Sequence, residues 1–142
     1  MSTPQKLSIF SFHLLFLSLL PLKITSSQRT QAEALIQWKN TLLFSPVSLN
    51  SWSTANINNL CNWTAIACDN TGIVSEVNLF NANIIRMLNQ FNFIQFSNLT
   101  RFDPKNNSLS GPIPSAINNL SKLILLDLSN NSLEGNIPLM LG

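Results

Sequence analysis

The chain has 142 residues, a length that suits one domain, and 10% of those residues are charged, with a formal net charge of +2 at pH 7. The motifs H-E-x-x-H, G-x-G-x-x-G and G-x-x-x-x-G-K followed by Ser or Thr are absent, which excludes the zinc-protease, dinucleotide-binding and phosphate-loop signatures. The charge does not indicate a nucleic-acid interface.

The first predicted element is a secretory signal peptide at residues 1–27. Lys6 supplies a positive charge before an apolar run at residues 7–22, and small residues precede the expected cleavage site. A membrane anchor is the alternative. However, the run is shorter than the roughly 20 residues that a spanning helix needs, and Pro21 interrupts its end. We therefore expect cleavage, and no later stretch is long and apolar enough to span a bilayer.

Signal cleavage limits the chemistry that the mature chain can perform. It removes His13, the one histidine, and leaves six basic and six acidic residues, so the mature net charge is zero. Without histidine, the Ser-His-Asp and Cys-His catalytic arrangements are impossible. The sequence therefore predicts a protein that is not an enzyme and that has no cofactor and no metal site.

An amphipathic helix is predicted to open a small cap at residues 28–72. Thr30 is expected to be the N-cap residue, with Glu33 as its capping-box partner. The helix is expected to end before Pro46. Its apolar face is formed by Ala34, Leu35, Trp38 and Leu42.

Two cysteines, Cys61 and Cys68, lie in the stretch CNWTAIAC of this cap. In an exported chain a disulfide is the default expectation, because a zinc site would need more ligands. The turn-forming residues DNTG follow and should join two strands as a hairpin. Trp38, Trp52 and Trp63 are expected to be cap core rather than ligand anchors, because aromatic side chains bury a large area.

Residues 73–142 show a repeated spacing of apolar residues. The clearest copy has Leu120, Leu123, Leu126, Leu128, Asn131, Leu133 and Gly135. The same spacing occurs 24 residues earlier with Phe96, Leu99, Phe102, Asn107, Leu109 and Gly111, and a weaker copy has Val74, Val77, Leu79 and Ile84. This spacing, L-x-x-L-x-L-x-x-N-x-L, is that of the leucine-rich repeat. We predict coils at residues 73–95, 96–119 and 120–142.

The predicted fold class is an α/β solenoid. It is a leucine-rich-repeat right-handed superhelix with a helical, disulfide-stapled N-terminal cap, about three coils and no C-terminal cap. Each coil should contribute a short parallel strand, and Asn107 and Asn131 should satisfy backbone groups beyond it as structural residues. Pro104 occupies the position of Leu128 in the next coil and should weaken strand pairing. With no C-terminal cap, we expect the third coil to fray or to self-associate.

The helix EALIQWK, the dipeptide SW at residues 51–52, the CNWTAIAC loop and the repeat LSNNSLEGNIP together resemble the extracellular N-terminus of plant leucine-rich-repeat receptor-like kinases and receptor-like proteins. The resemblance covers essentially the whole chain, although family members typically have glycine where this chain has Ala65. It implies a cell-surface or extracellular protein, reached through the secretory pathway, that recognises a peptide, a steroid or a partner ectodomain. The transmembrane helix and the kinase of such a receptor would lie outside this chain.

Two other interpretations remain open at this point. One is a free secreted leucine-rich-repeat protein, such as an inhibitor of a microbial wall-degrading enzyme or a co-receptor decoy. The other is a truncated gene product without independent function. Genomic sequence beyond the last codon would distinguish them from a receptor fragment.

Side chains between the buried positions of each strand are expected to face solvent on the concave side. The candidate binding residues are Glu76, Asn78, Phe80, Arg101, Asp103, Lys105, Leu125, Asp127 and Ser129. Equivalent positions should stack in columns, with Glu76 beside Arg101, and with Asn78, Asp103 and Asp127 together. An ordinary solvated strand face is the simpler interpretation and the favoured one.

Five N-x-S/T sequences are candidate glycosylation sites: Asn62, Asn98, Asn106, Asn119 and Asn130. In a secreted protein some of them should carry glycan. Asn98 and Asn119 are expected to be the most accessible, and the disulfide loop should hinder Asn62.

Overall fold

The computed structural model describes residues 26–139, which form one α-helix, α1 (Ser26–Asn40), several 3-10 turns and seven strands. The strands are β1 (Ile66–Cys68), β2 (Val74–Asn78), β3 (Ile85–Met87), β4 (Arg101–Asp103), β5 (Ser108–Pro112), β6 (Leu125–Leu126) and β7 (Ser132–Glu134). Residues 1–25 of the predicted signal peptide and residues 140–142 of the predicted third coil lie outside the described part. Within residues 26–139 no helix is both long and apolar enough to cross a membrane.

Helix α1 includes residues on the N-terminal side of the predicted start. Thr30 lies inside the helix, so the predicted capping box of Thr30 and Glu33 is wrong. Glu33 instead accepts a hydrogen bond from Arg29 Nε at 2.9 Å, one helical turn away. The first turns are fixed by tertiary contacts, because the buried side chain of Gln31 donates to the Gln95 carbonyl and accepts from the Val74 amide. These contacts join the cap helix directly to the repeats.

The first sheet has the strand order β1–β2–β4–β6. Strand β1 is antiparallel to β2, as the predicted hairpin requires, and β2, β4 and β6 are parallel. Val77 pairs with Phe102, which pairs with Leu126. The repeat spacing read from the sequence therefore gives the correct strand register.

A second parallel sheet, with the order β3–β5–β7, was not predicted. Its strands follow the asparagine turns and run along the opposite part of each coil. Gly111 and Gly135 both adopt positive φ, of 74° and 82°, a conformation that glycine accepts without strain. At Gly111 a Cβ atom would also come within 3.2 Å of Met87 Cε. The glycines of the repeat therefore allow the close packing of this sheet.

The core is continuous from the cap into the second coil. Trp38, Trp52 and Trp63 are all buried, with ring centroids 6.4 Å apart for Trp38 and Trp52 and 6.2 Å apart for Trp52 and Trp63. Trp38 also contacts Phe91 edge to face at 5.2 Å, and Phe91 joins an aromatic cluster in the first two coils. That cluster is formed by Phe91, Phe93, Phe96 and Phe102. The tryptophans are thus core residues, as the sequence predicts.

The disulfide between Cys61 and Cys68 is present, with a sulfur–sulfur distance of 2.05 Å. It connects the end of the 3-10 segment Thr54–Asn62 to the end of β1. Because β1 is the edge strand of the first sheet, this disulfide fixes the cap against that sheet. Ala65, between the two cysteines, has a φ of 69°, which is the left-handed region that disfavours alanine.

Candidate concave recognition surface

The first sheet, β1–β2–β4–β6, presents two aligned columns of side chains on its concave face. Glu76 lies opposite Arg101, which lies opposite Leu125, and Asn78 lies opposite Asp103. The amide of Asp127 donates to the Phe102 carbonyl at 3.1 Å, which continues the register beyond β6. The predicted neighbours are therefore brought together, although this alone does not assign them a binding role.

Asp103 departs from the prediction that it faces solvent, since it is only 7% exposed. Its Oδ2 atom accepts a hydrogen bond from Arg101 Nη2 at 2.9 Å, and its Oδ1 atom accepts from the Lys105 amide at 3.3 Å. Arg101 thus pairs with Asp103 of its own strand rather than with Glu76, and Asp103 is covered within the second coil.

A second ion pair joins the second and third coils. Lys105 Nζ lies 3.3 Å from Asp127 Oδ2. Hydrogen bonds from the hydroxyl and the amide of Ser129, together with Lys105, hold the pKa of Asp127 below its usual range. Lys105 and Ser129 are therefore both partners of the Asp127 carboxylate.

Glu76 differs from these neighbouring charges. Among residues 26–139 it makes no ion pair and no side-chain hydrogen bond. It lies between Ala67 of β1 and Arg101 of β4, and the guanidinium of Arg101 turns toward Asp103. Glu76 is thus an unpaired carboxylate on the cap side of the concave face.

A groove of about 390 Å³ lies at the junction of the cap and the first coil, and Glu76 precedes by two residues Asn78, which lines it. The cap contributes Leu49 and Ala65, and the first coil contributes Asn78 and Phe80. Phe80 is 55% exposed, and none of the lining residues is charged. Sequence reasoning identified Asn78 and Phe80 but missed the cap wall, which is formed by residues such as Leu49 and Ala65.

Asn107 and Asn131 are structural, as predicted. Asn107 Nδ2 donates to the carbonyls of Leu79, Pro104 and Lys105, and its Oδ1 accepts from the Ile84 amide. Asn131 repeats the pattern one coil later, donating to the carbonyls of Pro104, Leu128 and Ser129 and accepting from the Leu109 amide. These bonds satisfy backbone groups at the exits of the strands.

A column of exposed asparagines accompanies these turns and was not recognised as structural from the sequence. Asn81, Asn106 and Asn130 have φ values of 52°, 59° and 54°, a region that asparagine tolerates better than most residues. Asn106 Nδ2 donates to Asn81 Oδ1 at 2.9 Å. Two candidate glycosylation sites, Asn106 and Asn130, therefore lie at these turns.

The prediction that Asn98 is among the most accessible glycosylation candidates is wrong, whereas Asn119 is exposed as predicted. Asn98 is half-buried, and its amide donates to Asp69 Oδ2 at 2.9 Å and accepts from Lys122 Nζ at 2.8 Å. Hydrogen bonds from the Thr71 hydroxyl, then from nearby amides and from Asn98, lower the pKa of Asp69 to about 2. Asn62 and Asn119 are exposed, so the disulfide loop does not bury Asn62.

The chain matches the family model described as the leucine rich repeat N-terminal domain over residues 29–69. It is 42% identical over 112 residues to a probable leucine-rich repeat receptor-like protein kinase of Arabidopsis thaliana, an alignment that covers 75% of this chain and 10% of the kinase. The chain thus spans about a tenth of the length of the curated relatives that it matches.

Solved structures of Arabidopsis thaliana ectodomains have the same fold. The HAESA receptor kinase ectodomain, in complex with an N-terminally extended IDA peptide hormone, is 30% identical with a TM-score of 0.66, covering 80% of this chain and 19% of that one. The GASSHO1/SCHENGEN3 ectodomain, in complex with CASPARIAN STRIP INTEGRITY FACTOR 2, is 35% identical with a TM-score of 0.66. The match covers 76% of this chain and 13% of that one.

Proposed function

Since this chain is a leucine-rich-repeat protein of the kind that forms the N-terminal part of plant receptor-like kinase ectodomains, we propose that it is a non-catalytic recognition module for a peptide or protein partner. The observation that supports this most is the concave sheet. Parallel strands bring residues about 25 positions apart, such as Glu76 and Arg101, next to each other in one column. A partner lying across the strands would contact several coils at once.

The related ectodomains support the same proposal. HAESA and GASSHO1 were solved with an IDA peptide hormone and with CASPARIAN STRIP INTEGRITY FACTOR 2. This chain corresponds to a small part of each of them. We propose that it contributes a segment of such a recognition surface, and that any kinase belongs to residues beyond those described.

The proposed location is the extracellular side of the plasma membrane. It follows from the apolar run at residues 7–22, which we assign to a cleaved signal peptide at residues 1–27. The cap at residues 28–72 and the repeats at 73–142 would then form the mature chain. Glycan is proposed first at the exposed sites Asn62 and Asn119.

The third coil is proposed to need a neighbour. Leu126, Leu128 and Leu133 are only partly buried, and Ile137 is 79% exposed. Apolar edges of this kind promote association. The chain on its own should therefore self-associate or fray, which size-exclusion chromatography with light scattering measures.

The proposed function is tested by capture from plant extracellular fluid. The full chain would be immobilised, and retained peptides and proteins would be identified by mass spectrometry. Leu125→Arg places a bulky charge on the concave face, and Ile94→Arg is the matched control, since Ile94 is 66% exposed on the 3-10 turn Phe93–Phe96.

The expected result is a set of molecules that wild-type and Ile94→Arg retain and that Leu125→Arg loses. Equal thermal stability of the two variants would show that both are folded. Retention of the same set by Leu125→Arg, or no specific retention by wild-type, would overturn the proposed function.

A further inference from the structure

The first coil places three chemically different side chains on β2 and on the turn that follows it. Side chains two residues apart in a strand point to the same face, about 6–7 Å apart, so Glu76 and Asn78 share one face of β2. Phe80 lies in the turn after the strand, where its amide donates to Asn78 Oδ1 at 3.2 Å. The three side chains offer a carboxylate, an amide and an exposed aromatic ring. No other coil in residues 26–139 repeats this order.

The groove lies against the segment that leads into the edge strand β1. Strand β1 places Ala67 opposite Glu76, and the Ala65 carbonyl accepts the Asn78 amide hydrogen at 2.8 Å. The Ala65 methyl group lines the groove together with Leu49 of the cap and the ring of Phe80. The groove is therefore an uncharged space that suits an apolar side chain.

The electrostatics beside the groove select for a cation. Arg101 and Lys105 are already paired, with Asp103 and Asp127 respectively, so an incoming carboxylate finds no unpaired basic group on these strands. Glu76 has no such partner in the described chain. A ligand with a positive charge would therefore gain an ion pair here, whereas one with a negative charge would face repulsion.

We propose that the groove and Glu76 together form a subsite for an extended cationic peptide segment. An apolar side chain fills the groove, and a lysine or arginine two residues away pairs with Glu76. This rests on the proposed function, because it assigns the ligand chemistry of one part of the concave face.

The test uses the full chain and three synthetic peptides with blocked ends. The probe is Ser-Phe-Ser-Lys-Ser, and the comparison peptides are Ser-Phe-Ser-Glu-Ser and Ser-Ser-Ser-Lys-Ser. Dissociation constants would be measured by nuclear magnetic resonance titration, which detects weak binding. The protein variants are Glu76→Gln, Phe80→Ala and the matched control Glu134→Gln, since Glu134 is exposed on the second sheet.

The probe is expected to bind more tightly than either comparison peptide. Glu76→Gln should weaken it about three- to five-fold, as for a solvated ion pair. Phe80→Ala should weaken it about ten-fold, as for an aromatic contact residue. Glu134→Gln should leave the dissociation constant unchanged.

Equal affinity for the three peptides, or no effect of Glu76→Gln, would overturn the subsite. So would the absence of any binding by the probe. The proposed function would still stand if the capture experiment returned molecules that depend on Leu125 but lack this cationic and apolar pattern, so the two failures are distinguishable.

Discussion

The second and third coils have nearly the same sequence pattern but different surroundings. Leu109 and Leu133 occupy equivalent positions, yet Leu109 is fully buried and Leu133 is only partly buried. The second coil packs between two neighbours, whereas within residues 26–139 the third packs against one. In a solenoid each repeat is stabilised mainly by its neighbours, so equal residues contribute unequally to stability.

The strongest effect should come from truncating the two equivalent leucines. Leu109→Ala should lower the free energy of unfolding by about 2–5 kcal/mol, as for a buried leucine. Leu133→Ala should lower it by about 1 kcal/mol, because less apolar area is lost. Chemical denaturation of both variants measures the difference. Equal losses at the two positions would contradict the dependence on neighbours.

Removal of the disulfide should have the next strongest effect, at the opposite end of the solenoid from the third coil. Replacing Cys61 and Cys68 together with alanine should lower the free energy of unfolding by about 2–3 kcal/mol, the entropic contribution expected for a short closed loop. Thermal unfolding of the double variant checks this. A melting temperature equal to that of wild-type would show that the tryptophan core holds the cap alone.

Pro104 is a weak point between the second and third coils. The Leu79 amide donates to the Asp103 carbonyl at 2.8 Å, and the equivalent bond one coil later is missing because proline has no amide hydrogen. Pro104→Leu should restore it and raise the free energy of unfolding by about 1 kcal/mol. Thermal unfolding shows whether the variant is more or less stable than wild-type. A lower melting temperature would mean that the coil has adapted to proline.

A smaller change is expected at Ala65, in the cap. Its φ of 69° strains the backbone of alanine but not that of glycine. Glycine also loses more conformational entropy on folding, which offsets part of the gain. Ala65→Gly should therefore raise the free energy of unfolding by about 0.5–1 kcal/mol. Denaturant titration against wild-type measures it. Unchanged or reduced stability would show that the methyl contact with the core outweighs the strain.

Much of the fold follows from local sequence rules. The spacing of leucines predicted that Glu76 lies beside Arg101 in the strand register, and the predicted export signal together with two cysteines predicted the disulfide. The second sheet was missed because its strands are short and β5 contains Gly111 and Pro112, residues that weaken a strand prediction. These strands form because neighbouring coils align them.

The candidate site was predicted less well than the fold. The burial of Asp103 depends on the guanidinium of Arg101 and the amide of Lys105, which a periodic pattern does not specify. The groove beside Phe80 needs a wall from Leu49, which lies in a different segment of the cap. A repeat pattern predicts which residues of the coils are neighbours, but it does not predict contacts between the coils and other segments such as the cap.

Native-state hydrogen exchange on the full chain tests whether local stability is highest at the disulfide-bonded cap and decreases toward the third coil. Amides from Cys61 to Leu79 should exchange slowly, because this segment contains the disulfide, the buried Trp63 and the paired strands β1 and β2. Amides after Leu120 should exchange fast, because Leu126 and Leu133 are only partly buried within residues 26–139. Uniform slow exchange to residue 139 in a monomeric protein would contradict this decrease in local stability from the cap to the third coil.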